Sequence, residues 1–186
     1  MADGRVIEDS AMDFAQAVAG TDAPPQILEN LRLIDVFYLG FDGCRHKGQL
    51  VVHRDLAPDL LELFALMERQ RFPVARAVPI VCFGWSDEAA MAADNSSAFN
   101  YRLIAGTSRI SQHALGRAVD INPWENPAMD RAGRILPAGA LRRPAQPGTF
   151  TEKHPLVRAF REKGWNWGGD FTHIRDYHHF EKSVPG

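Results

Sequence analysis

Two short segments, far apart in the chain, carry the histidines and aspartates that most constrain how this protein folds. In the first, His113 stands seven positions before Asp120. In the second, Asp176 stands three positions before His179. Two imidazoles and one carboxylate are a credible donor set for a catalytic metal that keeps one coordination position open, so His113, Asp120 and His179 are expected to meet. Asp176 is then available as a base for a metal-bound water. A metal site with a base beside it indicates hydrolysis.

The residues between His113 and Asp120 suit such a site. Gly116 permits a tight turn, and Ala118 shares one face of a short strand with Asp120 because side chains alternate along a strand. A catalytic zinc lowers the pKa of its bound water to roughly 7 and so supplies a hydroxide nucleophile near neutral pH. Spacing alone is weak evidence, because most histidines are ordinary core or surface residues.

Other histidines compete for these roles. His178 adjoins His179, and in a strand the two side chains point to opposite faces, so only one of them reaches the metal. His173 is a further candidate, for a contact with substrate. Three histidines lie in polar surroundings and are predicted to be exposed: His46, His53 and His154.

Composition narrows the class of protein. The chain has 186 residues, 45% hydrophobic and 24% charged, as expected for one globular domain with a substantial core. With 21 basic and 23 acidic residues, the formal charge of -2 gives no reason to expect nucleic acid or a membrane surface as a partner. Cys44 and Cys82 lack a Cys-x-x-Cys spacing and indicate neither a zinc ribbon nor a disulfide scaffold. Two buried free thiols are predicted in preference to one disulfide.

The chain is predicted to have a peripheral N-terminal extension over residues 1–30 and a catalytic domain over residues 31–186. Within the extension, Ser10 is a candidate cap for a short helix that Gly20 ends. The N-terminus shows neither a basic leader nor an uninterrupted apolar stretch. No signal peptide or transmembrane span is therefore expected.

Apolar patterns predict a β-hairpin followed by a helix. Residues 33–41 and 48–52 are apolar enough for strands, and a turn at Asp42 and Gly43 joins them. From Pro58 onward, four apolar residues recur at helical spacing and predict a helix that packs on the sheet: Leu60, Leu63, Phe64 and Met67.

The second half of the chain is predicted to alternate short elements with loops. Residues 78–83 are expected to form a buried strand, followed by a short helix that Ser86 caps. Residues 123–148 are rich in proline, glycine and arginine and are expected to form a long surface loop beside a cleft. A further helix is expected to begin at Pro155 and to end at Gly164.

Taken together, these motifs resemble the signature of a known enzyme family. Residues 111–120 read Ser-x-His-x-x-Gly-x-Ala-x-Asp, and with the later Asp-x-x-His they resemble the zinc D-alanyl-D-alanine carboxypeptidases. That family includes D-Ala-D-Ala dipeptidases and phage L-alanyl-D-glutamate endopeptidases. The chain looks like the VanY-like branch of this family over about residues 33–181, in these segments: 38–43, 48–52, 99–102, 120–127 and 167–170. It implies a small single α+β domain whose central antiparallel sheet carries the zinc site, with helices packed against it.

The resemblance also implies a role for each site residue. His113, Asp120 and His179 match the ligands of one zinc ion. Asp176 matches the general base. Arg102 matches the arginine that holds the substrate carbonyl or carboxylate and the developing oxyanion, for which an always-charged fork of donors is suited. A structural salt bridge is the alternative for Arg102.

Two finer assignments follow from the same resemblance. His179 is favoured over His178 because the family's ligand directly precedes an aromatic residue, here Phe180. Ser111 matches a family position near the metal, where its hydroxyl would bind a ligand or substrate, and a turn-forming role is equally open. Where many relatives have tryptophan after Gly-Gly-Asp, this chain has Phe171.

The resulting hypothesis is a zinc metallopeptidase that acts on peptidoglycan stem peptides at the bacterial cell wall or in the periplasm. The sequence does not fix its oligomeric state, and a monomer is preferred. D-Alanyl-D-alanine carboxypeptidase activity is favoured over L-alanyl-D-glutamate endopeptidase activity. A catalytically silent, zinc-stabilised cell-wall-binding domain would keep the three ligands and is one alternative. A non-haem iron oxygenase also uses two histidines and one carboxylate, but its usual His-x-Asp spacing is shorter than the gap from His113 to Asp120.

Overall fold

The computed structural model describes residues 5–130, 132–172 and 174–183, which form the expected α+β fold. Five α-helices lie within these ranges: α1 (Phe14–Ala17), α2 (Pro25–Leu28), α3 (Ala57–Arg69), α4 (Asp87–Ala92) and α5 (Pro155–Glu162). Short strands lie between them: β1 (Val6–Glu8), β2 (Leu31–Leu39), β3 (Arg45–His53), β4 (Ala118–Asp120), β5 (Ala128–Met129), β6 (Ile135–Leu136), β7 (Asn166–Trp167), β8 (Arg175–Asp176) and β9 (His179–Glu181). The strands form three small sheets rather than one central sheet.

The N-terminal sheet is built on a long hairpin. β2 and β3 pair antiparallel from Leu31 opposite His53 to Leu39 opposite Arg45, and β1 joins β3 in parallel. Gly43 makes the turn between β2 and β3 with a φ of +78°, which glycine adopts without strain. α3 packs on this sheet through four buried residues: Leu60, Leu63, Phe64 and Met67. The predicted hairpin and helix are confirmed.

The other two sheets meet near the C-terminal end of the chain. β4, β9 and β7 form an antiparallel sheet in which Asp120 lies opposite His179. β6, β5 and β8 form another, in which Ala128 lies opposite Asp176. Because β8 and β9 follow each other closely in the chain, the two sheets meet where Asp176 and His179 lie.

An aromatic core holds β9 in place. Phe180 alternates with His179 along this strand, so its ring enters the core while the imidazole faces the other side of the sheet. The ring of Phe180 stacks on Phe160 of α5 at a centroid distance of 3.9 Å and lies 5.1 Å from the ring of Phe150. Trp167 is buried in the same core. Packing of Phe180 therefore sets the side of the sheet on which His179 lies.

The predicted strand over residues 78–83 is wrong. Pro79 precedes a 3-10 turn at Ile80–Phe83 instead. The side chain of Asn95 forms two hydrogen bonds with the backbone of Val78. It accepts from the Val78 N–H and donates to the Val78 carbonyl, at 3.0 Å each. These hydrogen bonds to a side chain replace a ladder to a neighbouring strand. The short helix after Ser86 is confirmed as α4, with the Ser86 hydroxyl as its cap.

Residues 123–148 do not form one long loop. β5 and β6 pair with each other inside this region as a short antiparallel hairpin. β5 also pairs with β8, the strand that carries Asp176. The predicted helix from Pro155 is confirmed as α5, and Gly164 follows its end with a φ of +82°.

The N-terminal extension adds a strand to the hairpin sheet and a small second core. α1 begins after Asp13, whose carboxylate accepts from the Gln16 N–H at 2.8 Å. Ser10 is not the cap, because its hydroxyl donates to Oε1 of Gln49 at 2.7 Å. Buried apolar residues of the extension and of the hairpin meet beside Phe99: Ala17, Ala23, Leu31 and Val51. The domain boundary at residue 30 stays a prediction.

Several side chains differ in exposure from the sequence-based expectation. Cys44 and Cys82 are free, as predicted, but both are exposed rather than buried. His53 is buried, whereas His46 and His154 are half-buried. Among the described residues, no helix has the length and apolar character needed to cross a membrane.

Candidate metal centre

Three buried side chains converge beside the β4–β9 pair. Nε2 of His113 lies 3.1 Å from Nδ1 of His179 and 3.2 Å from Oδ2 of Asp120. Nδ1 of His179 lies 3.0 Å from Oδ1 of Asp120. One possible ligand atom from each residue therefore lies within 4.8 Å of the other two, close enough for all three to bind a single ion.

The backbone around His113 explains how it reaches the strand pair. His113 begins a 3-10 turn, and Gly116 follows that turn in the left-handed conformation with a φ of +63°. At Gly116 the chain passes so close to β3 that an added Cβ would lie 2.7 Å from the backbone nitrogen of His53 and 3.0 Å from the carbonyl carbon of Val52. Glycine alone suits both the φ and the space. Asp120 then follows directly on β4.

Each histidine is held through its outer ring nitrogen. Nδ1 of His113 lies 2.5 Å from the carbonyl oxygen of Ala98. Nε2 of His179 lies 3.1 Å from Oε2 of Glu181. Because both partners accept hydrogen bonds, the outer nitrogens donate to them and the inner nitrogens face the centre. Histidines that bind metals usually have such partners, so this donor set fits a metal ion.

Glu181 is a site residue that the sequence analysis missed. It stands two positions after His179 on β9, and side chains two apart in a strand share a face. This spacing is the signal in the sequence that identifies it. The hydrogen bond from His179 is the main cause of the lowered pKa of the Glu181 carboxyl.

The charged groups at the centre shift one another's pKa values. Burial by itself raises the pKa of the Asp120 carboxyl, but the charges of His113 and His178 outweigh burial and hold that pKa well below its usual value. Burial lowers the pKa of His179, but hydrogen bonds to Asp120 and Glu181 reverse this effect and raise the pKa to about 10. Metal binding at these donors therefore competes with protonation.

Asp176 lies on β8 and lines the same cavity as the three donors. Burial raises the pKa of its carboxyl, but the charge of His178 and a hydrogen bond from it lower the pKa below its usual value. Gly168 packs so tightly against this strand that an added Cβ would overlap the backbone oxygen of Asp176. Nε1 of Trp167 donates to the carbonyl of Tyr177 at 2.9 Å. The Trp-Gly-Gly segment thus supports the strand that carries the carboxylate.

The other predicted residues have different surroundings. Arg102 lines the cavity, and its guanidinium forms an ion pair there with Asp87. The hydroxyl of buried Ser111 accepts from the backbone N–H of His113 at 3.2 Å, which supports the turn-forming alternative for Ser111. His173 lies outside the described residues.

The cavity has a volume of about 790 Å³, within the range of sites that enclose drug-sized ligands. Two hairpin-like segments contribute to its lining: residues 104–107, beside the bridge from Leu103 to Ile110, and the β5–β6 pair. The region of residues 123–148 therefore borders the cleft, as predicted. Much of the lining is apolar: Met91, Ile104, Met129, Leu136, Phe171 and Ile174.

Comparison with known proteins identifies one similar family. The sequence model of a family described as D-alanyl-D-alanine carboxypeptidase matches residues 105–182, a segment that contains His113, Asp120, Asp176 and His179. Arg102 lies outside the matched segment. No curated protein and no solved structure matches the chain significantly. The family match supports a metal-dependent peptidase, and the VanY-like branch stays a prediction.

Proposed function

We propose that this protein is a zinc-dependent peptidase that hydrolyses peptidoglycan stem peptides at the bacterial cell wall, chiefly as a D-alanyl-D-alanine carboxypeptidase. The observation that carries this proposal is the buried convergence of His113, Asp120 and His179, 4.8 Å or less apart, inside the segment that matches the carboxypeptidase family. The same cavity contains a half-buried carboxylate and an arginine, the two further groups that peptide hydrolysis requires.

One zinc ion would be held by His113, Asp120 and His179. Two nitrogens and one carboxylate oxygen suit zinc, and three protein ligands are the number that leaves a catalytic position open. A zinc ion in such a site polarises a carbonyl and activates a water. The hydrogen bonds that the two imidazoles donate to Ala98 and Glu181 would keep both rings oriented toward it.

Asp176 would act as the general base. Its lowered pKa keeps the carboxylate ionised near neutral pH, as a proton acceptor must be. Oδ1 lies 2.9 Å from His178, so Oδ2 is the oxygen that would take a proton from the attacking water and pass it to the leaving amine. Such transfers typically contribute about 10²–10⁴-fold in rate.

Arg102 would hold the anionic end of the substrate. Its Nε faces Asp87, which leaves the terminal nitrogens of the guanidinium for a substrate carboxylate or a developing oxyanion. Asp87 would then orient the guanidinium rather than compete with the substrate. Ser111 would act indirectly, through the turn that holds His113.

L-Alanyl-D-glutamate endopeptidase activity is the second candidate. A cavity of about 790 Å³ is larger than two alanine residues need, and it accommodates a longer stretch of stem peptide. A silent binding domain is disfavoured because it has no need of Asp176 or Arg102. Metal analysis of the purified protein separates zinc from iron and so tests the oxygenase alternative.

Mass spectrometry of muropeptides after digestion tests the proposal. Incubation with purified stem pentapeptide should release one D-alanine, and a chelator should abolish the reaction. Release of the intact lower stem would identify the endopeptidase instead. If zinc-loaded protein yields neither product from either substrate, the proposed function is wrong.

A further inference from the structure

His178 is completely enclosed beside the metal donors, yet it does not belong to the donor set. Its Nε2 lies 2.9 Å from Oδ1 of Asp176, compared with 4.0 Å from Oδ2 of Asp120. Its Nδ1 lies 2.8 Å from the carbonyl oxygen of Asn126. The imidazole therefore bridges a backbone carbonyl and the carboxylate proposed as the general base, and only 3% of the residue is exposed.

The backbone of His178 is anchored on the same side. The N–H of Ile121, the residue after β4, donates to the carbonyl of His178 at 3.0 Å. The main chain of His178 is thus attached to the residue after β4, and its Nδ1 is attached to Asn126 in the loop that follows. Nε2 is the remaining polar atom of the ring, and it faces Asp176.

The carbonyl that holds His178 belongs to a rigid turn. Asn126 is fully buried, and its side chain donates to the carbonyl of Gly148 at 2.8 Å and accepts from the N–H of Phe150 at 2.6 Å. It also donates to the carbonyl of Asn122 at 3.2 Å. These hydrogen bonds attach the turn to the segment before α5, so the Asn126 carbonyl is a fixed point for the imidazole.

We propose that His178 is a positioning residue that holds the Asp176 carboxylate in the orientation needed for proton transfer. Asp176 lies on a strand of two residues, which restrains its backbone through β5 but leaves its side chain to be oriented. The ion pair at Oδ1 restrains that side of the carboxylate and leaves Oδ2 toward the cavity. The inference rests on the proposed function, in which Asp176 is the base.

Two substitutions separate the two polar contacts of the ring, Nδ1 with Asn126 and Nε2 with Asp176. In His178→Gln, the side-chain amide nitrogen reaches the place of Nε2 and can still donate to Asp176. In His178→Asn, the shorter amide reaches only the place of Nδ1, so the contact with Asn126 is kept and the contact with Asp176 is lost. Zinc-loaded His178→Asn should lose about 10–100-fold in kcat, the usual effect of removing a supporting partner, with little change in KM. His178→Gln should recover most of that loss.

The control is His46, a half-buried imidazole that also lies between two polar partners. Its Nδ1 lies 2.9 Å from Asp9 and its Nε2 lies 3.2 Å from Asp42, on the hairpin away from the cavity. His46→Gln and His46→Asn should leave kcat unchanged. Zinc stoichiometry should stay at one ion per chain in all four variants, because none of them removes a donor.

Crystal structures of the metal-free His178 variants provide a readout that does not depend on turnover. The Asp176 carboxylate should keep its position in His178→Gln and rotate away in His178→Asn. An unmoved carboxylate in His178→Asn, equal kcat values for the two variants, or loss of zinc from both would overturn the positioning role. Failure of the wild type to cleave any stem peptide would overturn the proposed function instead, and the crystal structures would still test the contact between His178 and Asp176.

Discussion

At the scale of single residues, the centre depends on contacts that restrain one side of each functional group and leave the other side open. The carbonyl of Ala98 binds the outer nitrogen of His113. Glu181 binds the outer nitrogen of His179. The inner nitrogens then face each other at 3.1 Å. Hydrogen bonds between buried groups thus prepare the donor set before an ion binds.

Replacement of Asp176 by alanine tests the base without removing a donor. Asp176→Ala should keep one zinc ion per chain and lose about 10²–10⁴-fold in kcat, because the proton acceptor is gone while the three metal donors remain. Metal analysis and steady-state kinetics with a stem pentapeptide measure the two effects. Activity equal to that of the wild type would show that another group takes the proton.

Adjacent histidines allow a second test at this scale. His179→Ala should lose zinc, because Nδ1 of His179 is one of the three converging donors. His178→Ala should keep zinc, because its ring contacts Asp176 and Asn126 instead. Metal content after dialysis against metal-free buffer distinguishes the two variants. The opposite pattern would exchange the roles assigned to these residues.

At the scale of elements, two-residue strands need support from the segments around them. β8 pairs with β5 on one side and packs against Gly168 on the other. Gly168→Ala should displace β8, because the new methyl group would overlap the backbone oxygen of Asp176, and backbone cannot rotate away as a side chain can. We expect a loss of about 1–3 kcal/mol in unfolding free energy, together with a fall in kcat.

Gly43→Ala is the control for the Gly168 variant. Gly43 has a positive φ of +78° but open space around its Cα, and it lies in the hairpin turn away from the cavity. This control should lose stability through backbone strain and keep the kcat of the wild type. Chemical denaturation and kinetics of both variants separate strain in general from displacement of Asp176. A normal kcat in Gly168→Ala would contradict the supporting role of the glycine.

A carboxyl pair links the segment after α4 to the loop after β4. Oδ1 of Asp94 accepts from the N–H of Trp124 at 2.9 Å. Burial, the charge of Asp94 and a hydrogen bond with it raise the pKa of Glu125 from 4.5 to about 8. Because the pKa of Glu125 is higher in the folded state, its protonated carboxyl stabilises the fold. This contribution is complete below pH 4.5 and is lost as the pH rises toward 8.

The stability of Glu125→Gln relative to the wild type should therefore increase as the pH rises. Glutamine resembles the protonated carboxyl and cannot ionise, so the stability difference between variant and wild type should grow between about pH 4.5 and pH 8 and then level off. Urea unfolding across this range measures the difference. Glu152→Gln, at an exposed position, is the control, and a difference independent of pH in Glu125→Gln would contradict the raised pKa of Glu125.

At the scale of the whole molecule, the centre joins elements that are distant in the chain, so a bound ion should stabilise the entire fold. Zinc at about 1,000 times its Kd should raise the free energy of unfolding by about 4 kcal/mol. Thermal unfolding with zinc and with excess chelator measures the shift. Asp176→Ala should show the same shift as the wild type, whereas His113→Ala should show little of it. An unchanged Tm in the wild type would contradict a three-donor site.

Local patterns in the sequence predicted the elements that depend on near neighbours. Apolar spacing identified α3, glycine and proline identified the bounds of α5, and alternation placed Ala118 and Asp120 on one strand. The strand predicted for residues 78–83 was wrong, because their apolar run does not reveal that the side-chain amide of Asn95 hydrogen-bonds the backbone of Val78. That contact joins residues far apart in the chain, and no periodicity reports it.

The sequence by itself determined which side chains this chain offers to a metal, because residue types and their spacing limit the available donors. Only the tertiary structure decided their arrangement. Packing of Phe180 in the aromatic core sets the side of β9 on which His179 lies. Pairing of β4 with β9 brings Asp120 to His179, and the turn at Asn126 directs His178 toward Asp176 instead. These choices depend on contacts between distant segments, whose energies exist only once the chain has folded.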